Sequence, residues 1–323
     1  MKLVKLAGRL FIVLSMLWLP HAWADEQSLA LLKRMNQAAS NLDFDGVFLH
    51  VNENGIETLR VIRKIQNGKV LERLYSLNGN PREVIRDAER VWCFMPERKM
   101  GHVGMRADKQ TGFPGFMASN LDELSENYIL STGDFERIAD RKAVHLKILP
   151  RDAYRYGYEM WADKKTGLLL KSVLIDQQEN AIEQYMFAFI KIGVSIPDSD
   201  LQPMTSKEEL VWHNDKKPPE MMPIDDSSWQ FISLPDGYHL INILQRAMPM
   251  GDQQLEHMIL SDGLAGVSVF IEKTKSSPAE ISMEKMGAVN AYVRAVDGNL
   301  VTVVGEVPAA AVKVIGDALA RKH

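Results

Sequence analysis

The sequence predicts a mainly β fold with some α. A large curved antiparallel sheet, a half-barrel with helices in its concavity, is followed by a small antiparallel α+β domain. Three observations carry this expectation. Apolar and polar residues alternate in short runs from Val47 to Ile192, Asn-Gly dipeptides punctuate those runs, and a stretch rich in proline and charge at 197–223 divides the chain.

At the amino terminus Lys2, Lys5 and Arg9 precede an uncharged apolar run, Leu10 to Leu19, followed by Pro20 and Ala22-Trp23-Ala24. That order reads as a secretory signal, Met1 to Ala24, cleaved before Asp25. A spanning helix needs about 20 apolar residues, and Pro20 and His21 end this run well short of that. The expectation is a soluble chain outside the cytoplasm. Losing the three signal cations takes the formal net charge from −4 to −7, a field that disfavours nucleic acid as a partner. Cys93 is the one cysteine, so no internal disulfide forms even where the compartment would allow it. Its neighbours Val91, Trp92, Phe94 and Met95 suggest a buried thiol.

The first domain, 25–196, opens with Leu31, Leu32, Met35, Ala38, Ala39 and Leu42 at helical spacing over Ser28 to Leu42. The period then changes to two. Val47–Val51, Glu57–Ile65, Lys69–Leu77, Arg82–Arg86 and Val91–Phe94 read as a meander, with Asn54-Gly55, Asn67-Gly68 and Asn78-Gly79 as turns. Between Met100 and Met117 four glycines break the pattern and Met105, Phe113, Phe116 and Met117 make an apolar loop. Asn120, with Glu123 three residues on, starts a short helix. Strands return with Val144, Leu146 and Ile148, then Tyr154, Tyr156, Tyr158 and Met160, then Leu168–Ile175 and Ile182–Ile192. The segment 197–223 reads as an exposed, semi-rigid linker, with Trp212 docked on one domain. In the second domain, 224–323, six strands are expected: Trp229–Ser233, Ile241–Met248, Leu255–Leu260, Leu264–Ile271, Ala288–Ala295 and Leu300–Val304. Pro308 starts a closing helix whose apolar side is Val312, Ile315 and Leu319.

Catalytic patterns are absent from the sequence. There is no HExxH, no Gly-x-Ser-x-Gly elbow, no phosphate loop and no GxGxxG turn. No metal site, cofactor or catalytic residue is predicted, and the chain reads as a binder rather than an enzyme. A curved sheet with an apolar loop suits acyl chains and similar ligands. The tyrosine-bearing strand fits either a ligand face or a core.

Several motifs resemble the RseB/MucB family: Ser76 to Arg86, Ile138 to Arg141, Pro150-Arg-Asp-Ala-Tyr-Arg-Tyr-Gly-Tyr158, Trp161 to Asp163, Thr166 to Ser172, Leu234-Pro-Asp-Gly-Tyr238, Ser261-Asp-Gly-Leu-Ala265 and Val304 to Pro308. The resemblance implies a first domain similar to the lipoprotein carriers LolA and LolB. It also implies a periplasmic negative regulator of the envelope-stress sigma factor. Such a protein binds the periplasmic domain of an RseA/MucA-type anti-sigma factor and shields it from a DegS-type protease. Lipopolysaccharide or the acyl chains of mislocalised lipoprotein would release it, and a homodimer is a further implication. A periplasmic lipid or lipoprotein carrier is the alternative reading.

On this reading Phe113, Phe116 and Met117 form a pocket lip, and Val144, Leu146, Ile148, Tyr156 and Tyr158 line it. Period two leaves open which face is concave. Arg98, Lys99 and Arg106 would meet phosphates or remain solvated charges. Trp229, Tyr238 and Tyr292 would anchor the protein partner, with core burial as the competing reading.

Overall fold

The structure, a computed structural model, describes residues 20–87, 89–105, 121–214, 220–247, 254–274 and 281–322. Helix α1 (Pro20–Asn41) comes first. The meander that follows is β1 (Phe44–Asn52), β2 (Gly55–Gln66), β3 (Lys69–Ser76), β4 (Glu83–Arg86), β5 (Arg90–Met95) and β6 (Met100–Met105). The turn chemistry explains its tightness: Asn67 and Gly68 hold φ of 53° and 71°, which lets the chain reverse between β2 and β3 in two residues. After α2 (Leu121–Asn127) come β7 (Tyr128–Ile138), β8 (Arg141–Pro150), β9 (Gly157–Asp163), β10 (Leu169–Ile175), β11 (Ala181–Ile192) and β12 (Val211–Asn214). These strands make one 12-stranded sheet in the order β12-β6-β5-β4-β3-β2-β1-β11-β10-β9-β8-β7. The sheet does not close on itself.

Met100–Met105, expected within an apolar loop, instead pairs with β5 as β6, and two further features go beyond the sequence reading. The sheet is mixed, because β12 runs parallel to β6. The segment expected as an exposed linker keeps most of its described residues exposed and is also tied to the sheet over 198–212. Lys64 Nζ donates to Asp198 Oδ1 at 2.6 Å, Arg73 Nη1 to the Asp200 carbonyl at 3.1 Å, and the Met204 N–H to the Glu83 carboxylate at 3.1 Å. Trp212 does dock as expected, with its ring edge-on to Trp92 and Phe94 at 5.4 and 5.3 Å. Asp198 stays largely exposed while it meets Lys64, and the buried Arg73 and Glu83 of the sheet find backbone partners in the segment.

The second sheet contains β13 (Glu220–Met222), β15 (His239–Ala247), β16 (Gln254–Ser261), β17 (Gly266–Lys273), β18 (Ser282–Met286), β19 (Val289–Val296) and β20 (Asn299–Gly305), in the order β13-β15-β16-β17-β20-β19-β18. Helix α3 (Ala309–Ala318) begins after Pro308 and buries Val312 and Ile315 against Tyr292, Val301 and Val303. Leu319, expected on that helix, instead starts β21 (Leu319–Arg321), which pairs with β14 (Trp229–Phe231) as a separate ribbon. That pairing satisfies backbone groups that another helical turn would have left facing β14.

Candidate binding site

The contacts of α1 decide which face of the large sheet is covered. Arg63 donates through Nη2 to the Ala39 carbonyl of α1, so the side of β2 carrying Arg63, Val61 and Leu59 faces the helix. The register carries that face across the meander through Val61↔Leu74, Leu74↔Val84 and Val84↔Cys93. On the other flank, Leu146 and Ile148 of β8 and Tyr158 and Met160 of β9 pack with Leu31, Leu32 and Met35 of α1 and Leu124 of α2. The helices therefore fill the sheet's hollow.

Of the expected pocket lining, Leu146 and Ile148 are fully buried and Tyr156 and Tyr158 nearly so, while Val144 is half-buried beside them. This set forms a core under the protein's own helices, not an open wall. Burial raises the Tyr158 hydroxyl well above its ordinary range. Along the covered face Leu74, Val84, Val91 and Cys93 remain half-buried next to the buried Phe48, Leu59 and Val61. That strip is apolar surface that the described helices leave accessible. Burial also raises the Cys93 thiol, so it stays protonated at neutral pH.

Arg98 and Lys99 lie elsewhere, on the β5–β6 turn. Both are exposed, and Lys99 is in the left-handed region at φ 48°. Arg98 borders a 420 Å³ groove with Glu57, Asn78 and Arg82, far along the strand order from β8 and β9. Arg106, Phe113, Phe116 and Met117 lie outside the described residues. The three aromatic residues expected as anchors for a protein partner lie in the core of the small sheet. Trp229, Tyr238 and Tyr292 are 5%, 3% and 3% exposed in the small sheet's hydrophobic cluster. Period-two alternation could not distinguish these roles, because a buried aromatic and an interface aromatic read alike in sequence.

What the sequence reading missed is a buried junction between the two sheets. Arg155, on the loop entering β9, has a fully buried side chain and donates through Nε to Asp262 Oδ2 at 2.7 Å. The Tyr128 hydroxyl donates to the same oxygen at 2.7 Å. Asp262 Oδ1 accepts from the Leu264 and Ala265 N–H groups at 2.9 and 2.7 Å, so both carboxylate oxygens are occupied. The other Arg155 nitrogens reach Asp152 and the Asp236 carbonyl, and the guanidinium lies 4.7 Å over the Tyr238 ring. Tyr238 donates to the Tyr154 carbonyl at 3.1 Å. Burial first, and the Asp262 charge second, push the Tyr128 hydroxyl far up, which keeps it a donor.

Further contacts seal the junction. Asn290 Nδ2 donates to the Tyr156 hydroxyl at 3.1 Å and to the Val307 carbonyl at 2.8 Å, and the Gly287 N–H donates to Glu53 Oε1 at 2.8 Å. At Gly237, with φ 77°, a Cβ would sit 2.1 Å from Asn127 Nδ2, so only glycine lets the 235–238 turn seat against α2. Tyr154 and Tyr156, expected on a regular strand, precede β9 and point into this junction instead. The junction is assembled from the motifs at 150–158, 234–238, 261–265 and 304–308.

A model of the MucB/RseB N-terminal domain matches residues 27–205, and one of the C-terminal domain matches 223–320. This chain belongs to the MucB/RseB family. Among its family relatives, the sigma factor AlgU regulatory protein MucB of Pseudomonas aeruginosa is 30% identical over 284 residues, covering 86% of this chain and 85% of the relative. The sigma-E factor regulatory protein RseB of Escherichia coli K12 is 27% identical over 314 residues, covering 94% and 93%. The crystal structure of MucB in complex with MucA(peri) superposes with a TM-score of 0.70 at 25% identity, over 92% of this chain and 99% of that one. A Pseudomonas aeruginosa MucA/MucB complex gives 0.71 at the same identity and coverage. The match to MucB/RseB proteins extends across both sheets and the junction.

Proposed function

We propose that this protein is a periplasmic, non-catalytic brake on an envelope-stress sigma factor. In this reading it binds the periplasmic segment of an RseA/MucA-type anti-sigma factor and shields that segment from proteolysis. Lipopolysaccharide or the acyl chains of mislocalised lipoprotein release it. The observation that carries the reading is the likeness, over nearly the whole chain, to MucB proteins solved with MucA.

The junction supports the reading physically. A partner segment that touches both sheets is held best by a surface whose two halves are already fixed relative to each other, since ordering them on binding would cost affinity. The buried Arg155–Asp262 pair supplies that fixed relation. The half-buried strip at Leu74, Val84, Val91 and Cys93 is where an acyl chain would enter beside α1, next to the buried Phe48, Leu59 and Val61. A chain inserted there competes with α1 for the same face, which would disturb the covered core. Trp229, Tyr238 and Tyr292 support the partner surface from within instead of touching the partner.

The test is calorimetric titration of the purified protein with the periplasmic segment of its cognate anti-sigma factor, repeated with lipopolysaccharide. Binding that weakens as lipopolysaccharide is added, with matching loss of protection from protease, is the expected result. Absence of binding would reject the regulator reading and leave the carrier alternative.

A further inference from the structure

At the end of the face that α1 covers, one surface of the large sheet stays exposed and has no part in the junction. At the end of β7–β8 and β9–β10, Phe135 is 50% exposed, and two ammonium groups sit on its ring: Lys142 Nζ at 4.1 Å and Lys164 Nζ at 4.6 Å. Local chain geometry puts them there. Thr132 pairs with Leu146 but Phe135 pairs with Val144, so β7 carries one extra residue, a bulge at Gly133-Asp134. The bulge turns Phe135 onto the side of Val144 and Lys142, while the pleat sends Asp134 and Glu136 to the other side. Gly133 is needed at the bulge, since a Cβ there would lie 2.6 Å from His145 Nδ1.

Around the ring the charge is one-sided. Lys165 is exposed next to Lys164, and Arg34 of α1 donates to the Lys164 carbonyl at 3.0 Å. Asp140, Arg141, Lys142, Asp163, Lys164 and Lys165 line an open 480 Å³ groove beside Phe135. Its carboxylates are occupied, Asp163 by Arg141 at 2.8 Å and Asp140 by Arg137. Arg34, Lys142, Lys164 and Lys165 form no ion pair among the described residues. They leave a local excess of four positive charges on a chain whose formal net charge is −4.

We propose that this patch docks the protein on an anionic phospholipid bilayer. An exposed phenylalanine flanked by lysines matches the chemistry of a bilayer interface, where the ring enters the boundary of the acyl region and the ammonium groups stay at headgroup phosphates. Each cation near an anionic membrane adds to the attraction, and salt screens it. No described helix is long and apolar enough to cross a membrane, so the contact is peripheral. An acidic protein would satisfy the lysines but gives no reason for the exposed ring between them.

The test is co-sedimentation of the purified protein with vesicles of phosphatidylcholine containing 30% phosphatidylglycerol, against pure phosphatidylcholine. Binding to the anionic vesicles that weakens with salt is expected. The double variant Lys142→Glu/Lys164→Glu should reduce it on the order of tenfold or more, and Phe135→Ala should reduce it severalfold at unchanged salt dependence. Lys285→Glu, on exposed β18, should leave it intact. The four substitutions in these three variants are on the surface, and circular dichroism checks that the variants fold. Equal binding to both vesicle types, or indifference to the double reversal, overturns the proposal. Displacement by inorganic phosphate at matched ionic strength would assign the patch to small phosphate ions and overturn it too.

Discussion

Between the strands of the large sheet, buried side chains include Arg63, Glu72, Arg73, Glu83 and Asp163. In the small sheet the core is Ile243, Met258, Leu260, Val267, Val269, Val301, Val303, Val312 and Ile315. The charges of the first are matched across strands: Arg73 meets Glu83 and Arg86 meets Glu72 between β3 and β4, and Arg141 holds Asp163 between β8 and β9. A slip of one residue would part every one of these pairs, so they specify register in a wide sheet that only partly buries one face. The small sheet has α3 packed on it and holds its register by hydrocarbon packing. The comparison teaches that the large sheet adds ion pairs between its strands to the packing of α1 and α2, where the small sheet relies on hydrocarbon volume, and the two chemistries meet at Arg155 and Asp262.

The junction gives the largest test of that contrast. Arg155→Ala leaves the buried Asp262 without its cation and takes a partner from the partly exposed Asp152, and should cost about 3–5 kcal/mol in urea denaturation. The two sheets should then unfold in separable steps. A loss under about 1 kcal/mol would mean that water replaces the guanidinium and that packing alone holds the sheets together.

Next in size is a cut in the hydrocarbon side of the comparison. Ile315→Ala empties a fully buried site facing Val303 and Tyr292 and should cost about 2–5 kcal/mol. The loss should appear in the small sheet's transition when combined with Arg155→Ala. A cost below this range would mean that α3 slides to refill the space, so that packing there is less specific than the ion pairs.

How much of this was readable from residues depends on the range of the signal. The meander of β1 to β5, the later strands and the start of α3 follow from alternation, Asn-Gly turns and Pro308, all local features. The faces did not follow, because Leu146 and Ile148 alternate identically whether a helix or a ligand covers them. Strand β12 escaped because a four-residue parallel edge strand inside a proline-rich segment has no local pattern of its own. Arg155 and Asp262 are 107 residues apart in sequence, and nothing local pairs them. A signal was nonetheless present: the motifs that carried the family resemblance in both halves of the chain meet in space. Ser261-Asp-Gly-Leu-Ala265 read as a turn, which it is, while its carboxylate's second partner lay in the other sheet.

The finest division between the sheets is the protonation of two histidines. His50 in β1 donates through Nε2 to Glu183 Oε1 of β11 at 2.6 Å, lies 3.6 Å from Glu57 of β2 and stacks on Tyr185 at 4.4 Å. The Glu183 hydrogen bond, against opposing burial, raises its pKa above 6.5. His257 in β16 stacks on Phe270 and meets Ser268 at 2.9 Å, with Arg246 of β15 as the nearby charge. Burial first and Arg246 second lower its pKa to about 4. The signs are opposite. For His50 the folded state holds the extra proton, so its contribution is complete below about pH 6.5 and is lost as pH rises through the raised value. For His257 the unfolded state takes the proton, so its contribution is complete above about pH 6.5 and is lost as pH falls toward about 4. Each slope is at most about 1.4 kcal/mol per pH unit, the limit for one proton. Denaturation of His50→Gln should therefore lose the slope above pH 6.5 and keep the acid limb, and His257→Gln should do the reverse. If both substitutions flattened the same limb, the assignment of a charged histidine to the ion-paired sheet and a neutral one to the hydrocarbon sheet would be wrong.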